Sequence, residues 1–176
     1  MKKQIFFYLL LSLFEIGETN TNFIKLAITS FEKGYYELSN KYLEDYIASE
    51  KEEYIDYVYL LYGYNLYNLG KYEEAIEKFQ TLISKFPLSQ YLKNAYLSLL
   101  SCYWKVEDIN SLYTYYLEYR NNFEDDTEEV ERKIGEKILQ KGINFFKNKD
   151  YQEGKKYFSL ILDSFKDNDL ILWANY

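Results

Sequence analysis

Between Asp56 and Pro87 one spacing governs the chain. Tyr59, Tyr62, Gly63 and Leu66 share one side of a helix, Gly70 falls where that helix should end, Ala75 and Phe79 follow on a second helix, and Pro87 closes the unit. Each residue type suits its place. Gly63 has no Cβ and Ala75 only a methyl group, so two helices crossing there can approach closely. Tyr59, Leu66 and Phe79 fill the space around that contact. Gly70 suits a left-handed helix end, and Pro87 cannot continue a helix. A helix pair of this size cannot bury its own apolar face, so it is stable only when copies stack.

The frame recurs. Upstream, Phe23, Leu26, Ala27 and Ser30 take the first-helix positions, Gly34 the turn, and Ser39 and Leu43 the second-helix positions. A third copy, without the glycines, is formed by Tyr96, Leu99, Leu100 and Tyr103, then Leu112 and Tyr116. A fourth uses Ile138, Gly142 and Phe145, a turn at Asp150-Tyr151, then Gly154 and Phe158. The register advances by 36, 37 and 42 residues, and the longest insertion is the acidic stretch after Phe123. Residues Leu170 to Tyr176 read as the opening of a further unit. The spacing therefore predicts an all-α solenoid of antiparallel helix pairs, about four repeats plus a partial fifth. The competing fold, an irregular helical bundle, requires all four matches to arise by chance.

Composition narrows the chemistry. A single Pro and seven Gly leave little room for a β fold built on many turns. Histidine is absent and Cys102 is the only cysteine, which removes Ser-His-Asp and Cys-His catalysis, His-ligated zinc, thiolate metal sites and an internal disulfide. Cys102 reads as a small core residue. No phosphate-binding glycine loop is present, and pairs such as Glu73-Glu74 read as solvated helix starts. No catalytic residue, metal ligand or cofactor is expected. The net charge of −7 disfavours a nucleic-acid partner, which needs clustered Lys and Arg. Glu124-Asp125-Asp126, continued by Glu128, Glu129 and Glu131, reads as a helix start capped by Asp126 or Thr127, with an acidic docking patch as the alternative. The 22 tyrosines reflect either a bias shared with Lys, Asn and Ile or rings that line a binding surface.

The N-terminus has two readings. Lys2 and Lys3 precede an apolar run from Ile5 to Phe14, the shape of a secretory signal and too short for an ordinary membrane span. On this reading residues 1–17 are the signal, the domain is 18–176, and the protein resides in the periplasm or cell envelope. No small-x-small cleavage site stands out near Gly17, and no Cys follows the run. The other reading is an N-terminal helix packed on the solenoid of a cytoplasmic protein.

With its spacing of large residue, Leu-Gly, Tyr, Ala-x-x-x-Phe and Pro, the chain from about Asn20 resembles tetratricopeptide repeat proteins. Tyr62 stands where Leu is usual and Leu66 where Tyr is usual. The linker Phe86-Pro87-Leu88-Ser89-Gln90-Tyr91, followed by Ala95, is similar to that of bacterial envelope members. These include the lipoprotein of β-barrel assembly and the Tol-Pal cell-division coordinator. The resemblance implies a right-handed superhelix with first helices lining a concave groove, and a protein or peptide partner held there. Mapped onto this chain, the groove positions are Ile24, Ile28 and Phe31; Tyr57, Leu60, Tyr64 and Tyr67; Asn94, Leu97 and Trp104; and Leu139, Ile143 and Phe146. Of these, Ile28, Leu60 and Leu97 read as core. Phe31, Tyr57, Tyr64, Tyr67, Trp104 and Phe146 are the expected partner-binding residues, suited to an amphipathic helix or an extended apolar segment. The Lys, Arg and Asn set that grips a chain terminus in some members does not occur at these positions.

Leu170, Leu172 and Trp173 form an apolar start without a partner helix, which suggests self-association through that edge. The functional expectation is a non-catalytic interaction scaffold in the bacterial cell envelope. A cytosolic adaptor or chaperone-like protein is the alternative.

Overall fold

The computed structural model describes residues 22–50, 52–123, 127–165 and 174. Among the described residues there are eight α-helices and no strand. They are α1 (Asn22–Glu32), α2 (Tyr36–Ala48), α3 (Ile55–Asn68), α4 (Tyr72–Lys85), α5 (Leu92–Lys105), α6 (Ile109–Asn122), α7 (Glu128–Lys147) and α8 (Tyr151–Ser164). The chain divides into two compact units, residues 1–91 and 92–176. Residues 1–17, and Leu170, Leu172 and Trp173, on which the export and self-association readings rest, lie outside the described residues.

In the first unit α1 packs on α2, α2 on α3, and α3 on α4. In the second unit α5 packs on α6, α6 on α7, and α7 on α8. Each unit is thus two helix hairpins stacked in sequence order. The sequence frame appears as atoms. A Cβ on Gly63 of α3 would lie 2.4 Å from the Phe79 ring of α4, so only glycine lets these helices meet at this distance. The fourth repeat repeats the device, with a Cβ on Gly142 falling 2.6 Å from Phe158. In the third repeat Leu100, Leu112 and Tyr116 occupy the same positions and are all buried. With bulk where the second and fourth repeats have glycine and the first has Ala27, α5 and α6 approach closely along less of their length.

The turn inside each hairpin is the most regular feature of the fold. Gly34, Gly70, Glu107 and Lys149 stand at equivalent positions, and all four are left-handed, with φ of +79°, +76°, +58° and +65°. In each case the next residue's N–H bonds back to the carbonyl five residues earlier: Tyr35 to Ser30 at 2.8 Å, Lys71 to Leu66 at 2.9 Å, Asp108 to Tyr103 at 3.2 Å, and Asp150 to Phe145 at 3.0 Å. This closes a helix end whose last carbonyls would otherwise lack partners. The first unit uses glycine at the left-handed residue and has no side-chain cap on the following helix. The second unit does the reverse. Asp108 accepts from the Ser111 N–H and Asp150 from the Glu153 N–H, capping α6 and α8. Of the two caps expected for α7, Thr127 sits at the cap position without a side-chain hydrogen bond, and Asp126 lies outside the described residues.

Helix charge follows the macrodipole where helices are solvated. Glu73 and Glu74 open α4 and Lys85 ends it, while Glu128 and Glu129 open α7 and Lys147 ends it; Glu131, read from the sequence as part of the same solvated start, is buried instead. In contrast α3 buries Tyr57, Val58, Leu60, Leu61 and Leu66, because it has neighbours on two sides.

Candidate functional site

The site residues expected from the first-helix positions do not share one environment. Tyr57 is only 4 % exposed and belongs to the core of the first unit with Ile24, Ala27, Ile28 and Val58. Its ring packs on Tyr91, 5.3 Å between centroids. Tyr57 is thus a core residue and not part of an open surface. Ile28 and Leu60 are core as expected, whereas Leu97 is half-buried. Phe31, Tyr64, Tyr67 and Trp104 are half-buried, and Phe146 is 54 % exposed.

The last residue of each first-helix set forms a recurrent contact. Phe31 packs edge-on against Tyr36 at 5.7 Å, Tyr67 against Tyr72 at 5.3 Å, and Phe146 against Tyr151 at 4.7 Å, with interplanar angles of 61°, 65° and 66°. Each pair joins the end of a first helix to the opening of the second across the left-handed turn. The positive ring edge meets the negative face, the preferred aromatic geometry. In the third repeat the equivalent positions are Trp104 and Ile109, and Trp104 takes the Lys137 ammonium of α7 over its ring, 4.5 Å from the centroid. The expected binding aromatics therefore also clasp their own hairpins. They present polarised ring edges on rigid supports.

Many tyrosines have a structural task that sequence reading missed. The Tyr116 hydroxyl donates to the buried Glu131 carboxylate at 2.9 Å, joining α6 to α7, and the Arg120 guanidinium lies over the same ring. Tyr62 of α3 donates to Glu44 of α2, and Tyr96 of α5 to Glu118 of α6 at 3.2 Å. Burial and then the neighbouring carboxylate push the Tyr96 hydroxyl up to about 12. Burial raises Tyr62, Tyr116 and Tyr57 further still. These partners lie 15 to 22 residues apart, so no local pattern announces them.

The Phe-Pro-x-Ser linker also has a physical role. Ser89 Oγ donates to the Asp56 carboxylate at 2.6 Å and accepts from the Tyr91 N–H at 3.0 Å. It ties the exit of α4 to the opening of α3, while Phe86 packs on Tyr59. Cys102 is fully buried. Among the described residues no group of three or more acidic or Cys side chains is placed to hold a metal ion. The first-helix surface offers half-buried rings, and carboxylates lie bonded to tyrosine hydroxyls beside it.

Residues 57–89 match the family model described as tetratricopeptide repeat, which is the second repeat alone. No curated protein sequence matches the chain. Among solved structures, a tetratricopeptide repeat protein from Parabacteroides merdae is similar with a TM-score of 0.56 at 14 % identity, over 89 % of this chain and 58 % of that one. The chain thus spans little more than half of that structure. A second, the MamA RS-1 ArsTM double mutant, is 15 % identical over 84 % of this chain and 94 % of that one, and its TM-score of 0.37 carries no argument. The match at the second repeat and the likeness in fold identify the architecture as an all-α helical repeat of the tetratricopeptide kind.

Proposed function

We propose that the chain is a non-catalytic interaction scaffold that holds an apolar or amphipathic segment of a protein partner against its first-helix aromatics. The observation that carries this reading is the repeated clasp. Phe31 and Tyr67 in the first unit, and Phe146 in the second, are held edge-on by the next helix yet keep part of each ring in solvent. A ring already fixed by its neighbours loses little conformational freedom on binding, which is the property of an interface anchor. Tyr64 extends the surface in the first unit and Trp104 in the second. The tetratricopeptide likeness agrees with a binding role.

The proposed location is the bacterial cell envelope. Its support is Lys2 and Lys3 ahead of the apolar run Ile5 to Phe14. A cytosolic adaptor is the alternative, in which that run packs as a helix.

Affinity capture with the full-length protein from its own cells, beside a Tyr64→Ala, Tyr67→Ala, Trp104→Ala variant, tests both parts. Envelope proteins captured by the wild type and lost from the variant, together with a processed N-terminus, are expected. Equal capture by the folded variant removes the aromatic surface, and an intact Met1 with cytosolic partners removes the exported location.

A further inference from the structure

Three lysines of α7, Lys133, Lys137 and Lys141, stand four residues apart and so form one row along the helix. The outer two have carboxylates. Lys133 pairs with Glu129 one turn back, and Lys141 with Glu107 in the α5–α6 turn at 3.5 Å. Lys137 has none. Among the described residues its ammonium makes no hydrogen bond or ion pair, and Glu136 beside it is taken by Arg132. It lies instead over the Trp104 ring of α5, 4.5 Å from the centroid. Both residues are half-buried, so each keeps part of its surface in solvent. The indole N–H likewise has no partner among the described residues. Like charges one turn apart repel on a helix, and a partly buried cation without a counter-ion is costly. The middle of the row is therefore a cation held on an aromatic support with its charge unmatched.

We propose that this place takes the carboxylate of a glutamate or aspartate side chain of the protein partner, paired with the Lys137 ammonium while an apolar residue of the same segment covers the Trp104 indole. The inference rests on the reading of Trp104 as a partner-binding residue and names the charge that the partner brings to it. An ammonium carries three N–H groups, and the ring face occupies only some of them. Because the ring already holds the ammonium, pairing costs little further conformational freedom. The two contacts fit one amphipathic helix. The ammonium and the ring centroid are 4.5 Å apart, and residues three or four apart on a helix stand about 5–6 Å from each other. An acid one turn from an apolar residue therefore meets both. An internal acid fits better than a chain terminus, because a segment held by Trp104 continues toward Phe146 of the next repeat. The local charge has the complementary sign. Although the whole chain is acidic at −7, residues 137–149 carry four lysines and no acidic residue, so an acidic segment is drawn to this side of the second unit.

The test is selection of a random linear peptide library on the full-length protein. The selected peptides are made as C-terminal amides and measured against the wild type, Lys137→Gln, Lys137→Arg, Lys137→Glu and the Tyr64→Ala, Tyr67→Ala, Trp104→Ala variant. Enrichment of glutamate or aspartate three or four residues from an apolar residue is expected. Lys137→Gln should weaken such peptides about tenfold or more, the effect of losing a hydrogen bond between charged groups. Lys137→Arg should retain them, and Lys137→Glu should turn the preference toward peptides in which lysine replaces the acid. Melting temperatures of the three position-137 variants should stay close to the wild type, since Lys137 has no hydrogen bond or ion pair with a described residue to lose. Changing the peptide's acid to its amide should weaken binding to the wild type by the same factor, a measurement that needs no variant to fold. Peptides without an acid, or acidic peptides held equally by Lys137→Gln, that are lost from the triple variant overturn this inference and leave the binding surface standing. Peptides that bind only with a free C-terminal carboxylate overturn the side-chain assignment. Peptides retained by the folded triple variant overturn both.

Discussion

Replacing Gly63 by Ala sets two effects of known sign against each other. In a solvated helix interior the change stabilises by about 1 kcal/mol, because Ala loses less backbone entropy than Gly. Here the new Cβ would lie 2.4, 2.6 and 2.8 Å from three atoms of the Phe79 ring. Phe79 is fully buried and also meets the Tyr64 ring edge-on, so the ring is confined by its neighbours. Overpacking of a closed core costs about 1–3 kcal/mol, with the upper half of that range expected where the obstacle is a confined ring. The net result is a loss of about 1–2 kcal/mol, or about 2–8 °C in Tm for a chain of this size. Urea unfolding followed by circular dichroism measures it, with an unchanged slope showing that the midpoint reports stability. A Gly63→Ala, Phe79→Leu pair should be more stable than the sum of its parts by about 1 kcal/mol or more, since the smaller side chain vacates the clash. Gly142→Ala should lose less, because Phe158 is only half-buried and can turn aside. A Gly63→Ala variant stabilised by about 1 kcal/mol would refute the close-approach argument, and so would additivity in the pair.

The left-handed turns give the opposite outcome. Glu107→Gly and Lys149→Gly should each stabilise by about 0.5–1 kcal/mol, because a side chain at positive φ is strained while the first unit already uses glycine there; a lower urea midpoint in both would contradict the shared turn geometry. Tyr116→Phe should cost about 1–3 kcal/mol in chemical denaturation, because Glu131 is 93 % withdrawn from water and loses a donor. Ser89→Ala should cost about 1 kcal/mol through the lost bond to Asp56, and no change on removing it would leave the linker motif without a structural role. Alkaline pH should unfold the chain in a defined window. A tyrosine whose folded pKa lies above its unfolded value of 10 binds its proton longer in the folded state, so its contribution is complete below pH 10 and is lost as pH rises through the folded value, about 12 for Tyr96 and Tyr103. Tyrosinate absorbance and helicity followed together should change cooperatively in that window, and complete tyrosine ionisation with helicity retained would oppose it.

How far the sequence was legible depended on the range of each interaction. Gly63, Ala75 and Phe79, and Gly142, Gly154 and Phe158, announce the helix pairs because their spacing is fixed by helix geometry within one hairpin. The third repeat was traced through Leu100, Leu112 and Tyr116 without its glycines, and the structure buries all three. Tyr57 was misplaced on an open face because a first-helix position says which way a residue points and not whether Tyr91 covers it. The tyrosine–carboxylate bonds were illegible for a related reason: Tyr62 and Glu44, or Tyr116 and Glu131, meet only after hairpins stack. The clasp pairs were nearer to hand, since Phe31-Tyr36, Tyr67-Tyr72 and Phe146-Tyr151 all stand five apart in the sequence. That interval could have been read as a recurrent aromatic step.

The restriction of the family match to residues 57–89 then has a physical explanation. A repeat is defined by the contacts it must make, and several residue sets satisfy each of them. The left-handed turn is met by glycine in the first unit and by Glu107 and Lys149 in the second, where Asp108 and Asp150 cap the next helix and offset the strain. The helix crossing is met by Gly63 under Phe79, or by the buried Leu100, Leu112 and Tyr116 with less close approach. The junction between hairpins is met by Tyr62 on Glu44 in one unit and by Tyr116 on Glu131 in the other. Only the second repeat uses the common solution at the crossing, the turn and the closing proline together, so only it is recognisable by residue identity. If this account holds, restoring single family residues in the other repeats should not add up. Leu100→Gly alone opens a cavity between α5 and α6 and should destabilise by about 2–5 kcal/mol, although it brings the third repeat closer to the family pattern. A stabilised Leu100→Gly variant would mean that the third repeat keeps the close crossing after all.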